Sequence, residues 1–292
     1  MKNKESNNKH HLQKDPSQSF PGIEMSYSRS REDVWARLSE QMDEQIVPPV
    51  KVRRLRTNWL TQAAAAVVII MLSATAFMRL YTKNVSAPAG QHLAAILPDG
   101  SSVELNASSV IKYKPYWWRF DRKVQFEGEA FFKVMKGEKF EVVSSHGQTI
   151  VLGTSFNIYA RKGEYKVTCY TGKVRVVSVV SGKAAEITAN KQAIVQRDGS
   201  IDLNEKVDSE QTISWMNDMF IFTHTPLMLV FEEIERQYGI SITTNEKLDY
   251  LYSGNFTRDR SAEEVVKMIC RPLGLEYKTT SSGFLVSKQA VR

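Results

Sequence analysis

The sequence predicts a single-pass membrane protein whose bulk is an all-β domain followed by a small α+β domain. Three observations carry this. Residues 60–78, LTQAAAAVVIIMLSATAFM, hold no charge. At ~1.5 Å per residue that run makes ~28 Å of helix, close to the ~30 Å hydrocarbon core of a bilayer. From 93 to 200, short apolar–polar alternations of strand length follow one another without a helical period. From 215 to 289 the pattern becomes helix, glycine, strand, and then recurs.

Residues 1–58 read as a short tail. Residues 1–27 are polar and too poor in apolar side chains to repay the entropy of ordering, and Met25 is a second candidate start. A helix is expected over about 30–46. Ser30 is its N-cap, and Glu32 and Asp33 lie in the first turn, where the helix dipole favours acid. Val34, Trp35, Leu38, Met42 and Ile46 recur at helical spacing, and Pro48-Pro49 ends the element. This stripe has no partner within the tail. It binds another protein, lies on the membrane, or stays partly unfolded, since ~15 residues of isolated helix are marginal.

The apolar run has two competing readings. A buried core helix seldom runs so far without a charge. A cleaved signal peptide would use Ala74-Thr75-Ala76, but the long mixed-charge segment before the run is unlike an n-region. A retained span over 59–80 fits the flanks better. Lys51, Arg53, Arg54 and Arg56 crowd the N-terminal side, against Arg79 and Lys83 on the other, and Trp59 and Tyr81 bracket the run. The positive-inside rule then places 1–58 in the cytoplasm and the remainder across the membrane.

Residues 81–92, with Ala87-Pro88-Ala89-Gly90, read as a linker. The β-rich domain follows over 93–200. Pro98-Asp99-Gly100-Ser101 is a type I turn signature before the alternating Val103-Glu104-Leu105. Further runs lie at 124–126, 130–134, 140–143, 149–152, 156–159, 167–170 and 174–177, so a β-sandwich or a wound, solenoid-like sheet is expected. Within KPYWWRF (114–120), Trp117 and Trp118 are candidates for a partner surface, one of the pair being buried and the other lining a contact.

After a second linker at 201–214, Phe220-Ile221-Phe222 reads as a strand. Thr225 caps a helix with Pro226 at its first position, and Leu227, Val230, Phe231, Ile234 and Tyr238 form its buried stripe before Gly239. Ile240-Ser241-Ile242 is the next strand. Ser261 and Glu264 then form a capping box, Val265, Val266 and Ile269 a stripe, and Gly274 a stop before Leu275-Glu276-Tyr277. Phe284-Leu285-Val286 closes what should be one sheet carrying two helices.

The chemistry is sparse. The chain has 292 residues, 42% hydrophobic and 24% charged, with a net charge of +7. That charge is dispersed, and its one tight cluster, at 51–56, suits membrane topology and anionic headgroups rather than direct nucleic-acid contact. Two cysteines, Cys169 and Cys270, fall in different domains and read as buried free thiols more readily than as a bridge. The five histidines are scattered apart from the adjacent His10 and His11, and no CxxC, HExxH, P-loop or GxSxG pattern occurs. No metal, cofactor or enzyme activity is therefore expected.

The order of parts resembles a known family. LPDGSSVELNASSVIKY (97–113), RKVQFEGEAFFKV (122–134), TIVLGTSFNIYA (149–160) and GKVRVV (172–177) look like the periplasmic domain of FecR-type anti-sigma factors, the iron-dicitrate sensor family. WMNDMFIFTHTPLMLVFEEIERQYGISI (215–242) resembles the C-terminal domain of Bacteroidetes members, itself similar to the short N-terminal module of secretins and TonB-dependent transducers. The resemblance implies an inner-membrane regulator. Its periplasmic part would sense the signalling domain of an outer-membrane TonB-dependent receptor, and its cytoplasmic part would contact an extracytoplasmic-function sigma factor.

On that reading Val34, Trp35, Leu38 and Met42 are the candidate sigma-factor contacts. The tail departs from the family's longer multi-helix cytoplasmic domain, which keeps open an alternative: a membrane-anchored periplasmic adaptor without sigma-factor contact. Thr188-Ala189-Asn190-Lys191-Gln192 stands where relatives carry Pro-Gly-Gln, and Asn190 can still take the turn conformation. Some relatives are thought to cut themselves at a Gly-Thr bond. Gly153 and Thr154 match that bond, with Gly tolerating the strained backbone and Thr supplying a hydroxyl, but the sequence identifies no base, and a plain turn is the competing reading.

Overall fold

The computed structural model describes residues 28–43 and 58–289. Two compact units, Met1–Gln62 and Ala63–Arg292, are taken separately. In the first, α1 (Arg31–Asp43) begins as expected: the Ser30 hydroxyl accepts from the Asp33 amide (3.3 Å). Ile46 and the Pro48-Pro49 stop lie outside the described residues. Helix α2 (Trp59–Leu80) follows, with no residue buried against protein. At ~33 Å for its 22 residues it fits a single membrane span.

Thirteen strands follow: β1 (Lys83–Ala87), β2 (Leu93–Ile96), β3 (Ser102–Leu105), β4 (Ser109–Tyr113), β5 (Arg122–Lys133), β6 (Phe140–Val143), β7 (Gly147–Val151), β8 (Ser155–Arg161), β9 (Glu164–Thr171), β10 (Lys173–Ser178), β11 (Ala184–Thr188), β12 (Gln192–Val195) and β13 (Ile201–Asn204). They make two layers that share β5. Its first half pairs with β4 and β6, and its second half with β3 and β8. One core lies between the layers, where Phe132 stacks on Phe156 (5.2 Å) and meets Phe126 edge-on (5.5 Å). The layered arrangement decides for the sandwich over the solenoid.

The sequence pattern broke β5 into two runs at Gly128. The strand is continuous because Val124, Phe126, Gly128, Ala130 and Phe132 keep the inward alternation through the break. Gly128 sits at φ +119°, and a Cβ there would fall 2.6 Å from Ser109 Cα, so only glycine lets β4 approach.

Both linkers are corrected. Residues 83–87 form β1, which pairs antiparallel with β4 (Val85 opposite Ile111). Residues 201–214 contain β13 and the short α3 (Ser209–Thr212), capped by Asp208. The alternation in each is only two apolar residues long, Val85 and Ala87 in one and Ile201 and Leu203 in the other. Each is ordered by the partner it pairs or packs against. The Pro98–Ser101 turn does join β2 to β3, with the Gly100 amide donating to the Leu97 carbonyl (3.0 Å). Asn190 takes the left-handed turn conformation, φ 63°.

The C-terminal elements are β14 (Met219–Pro226), α4 (Leu227–Tyr238), β15 (Ser241–Thr244), β16 (Leu251–Thr257), α5 (Ala262–Cys270), β17 (Leu275–Thr280) and β18 (Gly283–Lys288). They form two sheets where one was expected: β14 with β16, and β15–β18–β17 with β15 parallel to β18. Helix-strand repetition specified the elements but not the pairing. The stacked rings of Phe220, Phe222 and Phe256 hold the first pair together. Thr225 is not the cap of α4; β14 runs on to Pro226, and the first helical amide, Leu227 N, donates to the Tyr250 carbonyl (2.9 Å). The Ser261–Glu264 capping box of α5 is present with both reciprocal bonds. Cys169 and Cys270 are both buried and free.

Candidate functional site

The stripe on α1 is fully presented to solvent. Val34, Trp35, Leu38 and Met42 are all exposed, Trp35 at 60% and Met42 at 70%. No described residue of their own unit covers them, which is the condition a helix-in-groove contact requires.

The two tryptophans of KPYWWRF separate. Trp118 is 5% exposed and packs edge-on against Tyr113 (5.6 Å) and Phe140 (5.8 Å), so it belongs to the sandwich core and not to a partner surface. Trp117 is only half-buried and rests against Phe120 (4.7 Å). Consecutive residues in one short helical turn point in different directions, so the core could accept one ring of the pair but not both.

Gly153 and Thr154 form the turn between β7 and β8. A Cβ on Gly153 (φ +154°) would stand 2.7 Å from Lys136 Cα, so the glycine is demanded by packing. Thr154 is buried, and its hydroxyl donates to the Lys173 carbonyl (3.2 Å). A main-chain carbonyl is no general base, and among the described residues no other hydrogen bond engages this hydroxyl. The local geometry is explained by the turn.

A third feature escaped the sequence reading. Polar side chains from the β-sandwich and from α4 meet in a seam. Gln237 on α4, 1% exposed, donates from Nε2 to Asn106 Oδ1 (2.7 Å) and to Glu233 Oε1 (2.7 Å), and its Oε1 accepts from His92 Nε2 (3.0 Å). Asn106 Nδ2 and Asn157 Nδ2 donate to the two carboxylate oxygens of Glu129 on β5 (2.8 and 3.1 Å). Arg161 on β8 ties down the 107–109 loop through the carbonyls of Ala107 (2.7 Å) and Ser108 (2.9 Å). Arg236 pairs with Glu233 (2.6 Å), and Lys162 with Glu232 (2.6 Å). A cleft of about 360 Å³ opens beside the seam, lined by Glu129, Asn157, Tyr159, Trp215, Phe222 and Arg236 among others.

Burial dominates the electrostatics here. It raises the Glu129 carboxyl to about 7, helped by the negative Glu233 and opposed by Arg161 and the two amide donors. Burial likewise lowers the His92 imidazole, against the hydrogen bond that it donates to Gln237. Part of Glu129 still meets the cleft, although protein surrounds it.

A pH prediction follows from the sign of the Glu129 shift. Below about 4.5 the carboxyl is protonated whether the chain is folded or not. Between 4.5 and about 7 the folded chain keeps a proton that the unfolded chain has released, so stability falls as pH rises. Above about 7 the penalty is constant, at most ~3 kcal/mol because cleft water screens the charge. Glu129→Gln should therefore flatten urea-unfolding stability between pH 4.5 and 7.5 relative to the parent. A parent-minus-variant difference independent of pH would show that Glu129 ionises freely.

One sequence signal for the seam was present. Gln237 lies three residues after Ile234 on the buried stripe of α4, where Tyr238 was expected instead. A polar residue in an apolar stripe marks a buried hydrogen-bonding partner. Nothing local marks Asn106, Glu129 or Arg161.

Comparisons with known proteins cover most of this architecture. The family model described as FecR protein matches residues 83–175, and that described as FecR, C-terminal matches 219–285. Two crystal structures, each assigned as an anti-sigma factor from Parabacteroides distasonis ATCC 8503, are similar to the chain. The 2.50 Å structure has 30% identity and a TM-score of 0.65, covering 72% of this chain and 100% of that one. The 1.65 Å structure has 31% identity and a TM-score of 0.64, covering 71% and 100%. No curated protein matches the chain.

Proposed function

The chain belongs to the FecR family of anti-sigma factors, which are regulatory proteins, and from that premise we propose that it relays the state of an outer-membrane TonB-dependent receptor to an extracytoplasmic-function sigma factor. In this reading α2 spans the inner membrane, the tail lies in the cytoplasm, and the sandwich and C-terminal elements lie in the periplasm. The basic cluster at 51–56 supports that orientation. The C-terminal elements meet the signalling domain of the receptor.

The observation that carries the reading is the uncovered α1 stripe of Val34, Trp35, Leu38 and Met42, preceding an apolar helix in a chain of this family. A lone α2 transmits poorly as a rigid lever. Signalling then acts by changing the population or integrity of the tail. The seam joins α4 to the sandwich, so a receptor gripping the C-terminal elements would pull on both.

The test is co-purification of the full-length protein from its own membranes, beside a version lacking residues 1–50. A sigma factor should appear only with the tail. A receptor in both samples with no sigma factor in either would favour the adaptor reading.

A further inference from the structure

The KPYWWRF loop is built around a peg. Trp118 is sunk in the core, and the turn about it is closed by main-chain bonds from Trp117 N to Lys114 O (3.2 Å) and from Phe120 N to Trp117 O (3.0 Å). With Trp118 fixed, the loop holds its other rings outward: Phe120 is 69% exposed and Tyr116 51%. Tyr116 and Trp117 meet the C-terminal end of α2. Tyr116 lies 5.9 Å from Phe77 and 5.4 Å from Tyr81, and the Arg79 guanidinium stands 5.8 Å over the Trp117 ring. Phe77 is ~4.5 Å of helix rise from Leu80, the last residue of α2, so Tyr116 sits at the depth where the span ends.

Exposed Lys114 and Arg119 lie in the loop beside Arg79 and Lys83, with Asp121 as the nearby acid; Arg122 is taken by Asp99. Aromatic rings beside cationic side chains at the end of a span match the headgroup layer, where amphipathic rings settle and anionic lipid attracts Lys and Arg.

We propose that Tyr116, Trp117 and Phe120, flanked by Lys114 and Arg119, form a membrane-docking surface that seats the sandwich on the anionic lipid headgroups around the exit of α2. The proposal rests on α2 being a membrane span. Lipid is favoured over a protein partner because Tyr116 and Trp117 already touch residues of the span's end, so any occupant of this face lies at the bilayer surface. Docking would restrict how the sandwich swings about α2, and so would set the geometry in which the periplasmic elements are offered to their partner.

The test uses the full-length protein in vesicles of phosphatidylethanolamine and phosphatidylglycerol. Single cysteines replace Phe77, Phe120 or Val180, the last an exposed control far along the sandwich (59%). Each carries an environment-sensitive fluorophore; native Cys169 and Cys270 are buried and escape labelling. Lipids bearing a quencher should remove most of the signal at Phe77→Cys and Phe120→Cys and leave Val180→Cys bright, with aqueous iodide giving the opposite order for Phe120 and Val180. A Phe120 probe as bright as the Val180 probe, with the Phe77 probe quenched, would overturn the docking surface while the span stands, and would return this face to a protein partner. An unquenched Phe77 probe would overturn the span and the docking surface with it.

Discussion

Replacing Val230 with aspartate is expected to unfold the C-terminal elements. Val230 is fully buried on α4, among the apolar side chains of Leu227, Phe231 and Ile234. An aspartate there must either bury an unpaired charge or leave the core. Either course costs about 4 kcal/mol or more, a large part of the 5–15 kcal/mol that holds a typical domain. The damage should spread. Glu233, Arg236 and Gln237 ride on the same helix, so losing α4 also removes the partners of Asn106 and His92 in the seam. Limited proteolysis and urea unfolding of the full chain give the readout, with Met228→Asp as the control. Met228 is on α4 but partly exposed, and its change should cost at most about 0.5 kcal/mol. Equal stability of Val230→Asp and the parent would show that the α4 stripe does not hold this part of the fold.

The second large effect concerns binding. If α1 docks in a sigma-factor groove, Trp35→Ala should weaken the complex by about 2–4 kcal/mol, a loss of roughly 30- to 1,000-fold in affinity. Tryptophan is the ring best suited to anchor such a contact, because it buries much area at small entropic cost. The same change should leave unfolding of the sandwich untouched, since α1 has no buried residue. Titrating the sigma factor against detergent-solubilised parent and variant decides the matter. Equal affinities would remove Trp35 from the interface, and absence of binding to either would favour the adaptor reading.

Which features the sequence announces depends on how local their causes are. The membrane helix needs no partner to declare itself, since an uncharged run of bilayer length is a property of neighbouring residues. The capping box of α5 is equally local, with Ser261 and Glu264 three positions apart. The alternation in β5 signalled a strand in each half, although Gly128 hid their continuity. By contrast, β1 has little apolar signal and is a strand because Val85 finds Ile111 in β4. The two sheets of the C-terminal elements depend on which distant strands pair, and a repeat in sequence does not specify that.

The seam and the loop show the same division at the level of function. The sequence by itself determined the family, the apolar helix, the exposed-stripe residues of α1 and the strand-rich body. The family rests on the resemblance of its motifs in order, and the other three follow from composition and short periodicities. Only the tertiary structure decided that Trp118 is a core peg while Trp117 faces the end of α2. It also brought Glu129, Asn106 and Asn157 of the sandwich against Glu233 and Gln237 of α4, and raised the Glu129 carboxyl to about 7. The physical reason is that burial and charge environment are sums over neighbours in space, and those neighbours come from separate segments of the chain, 23 residues apart for Asn106 and Glu129 and 131 for Asn106 and Gln237.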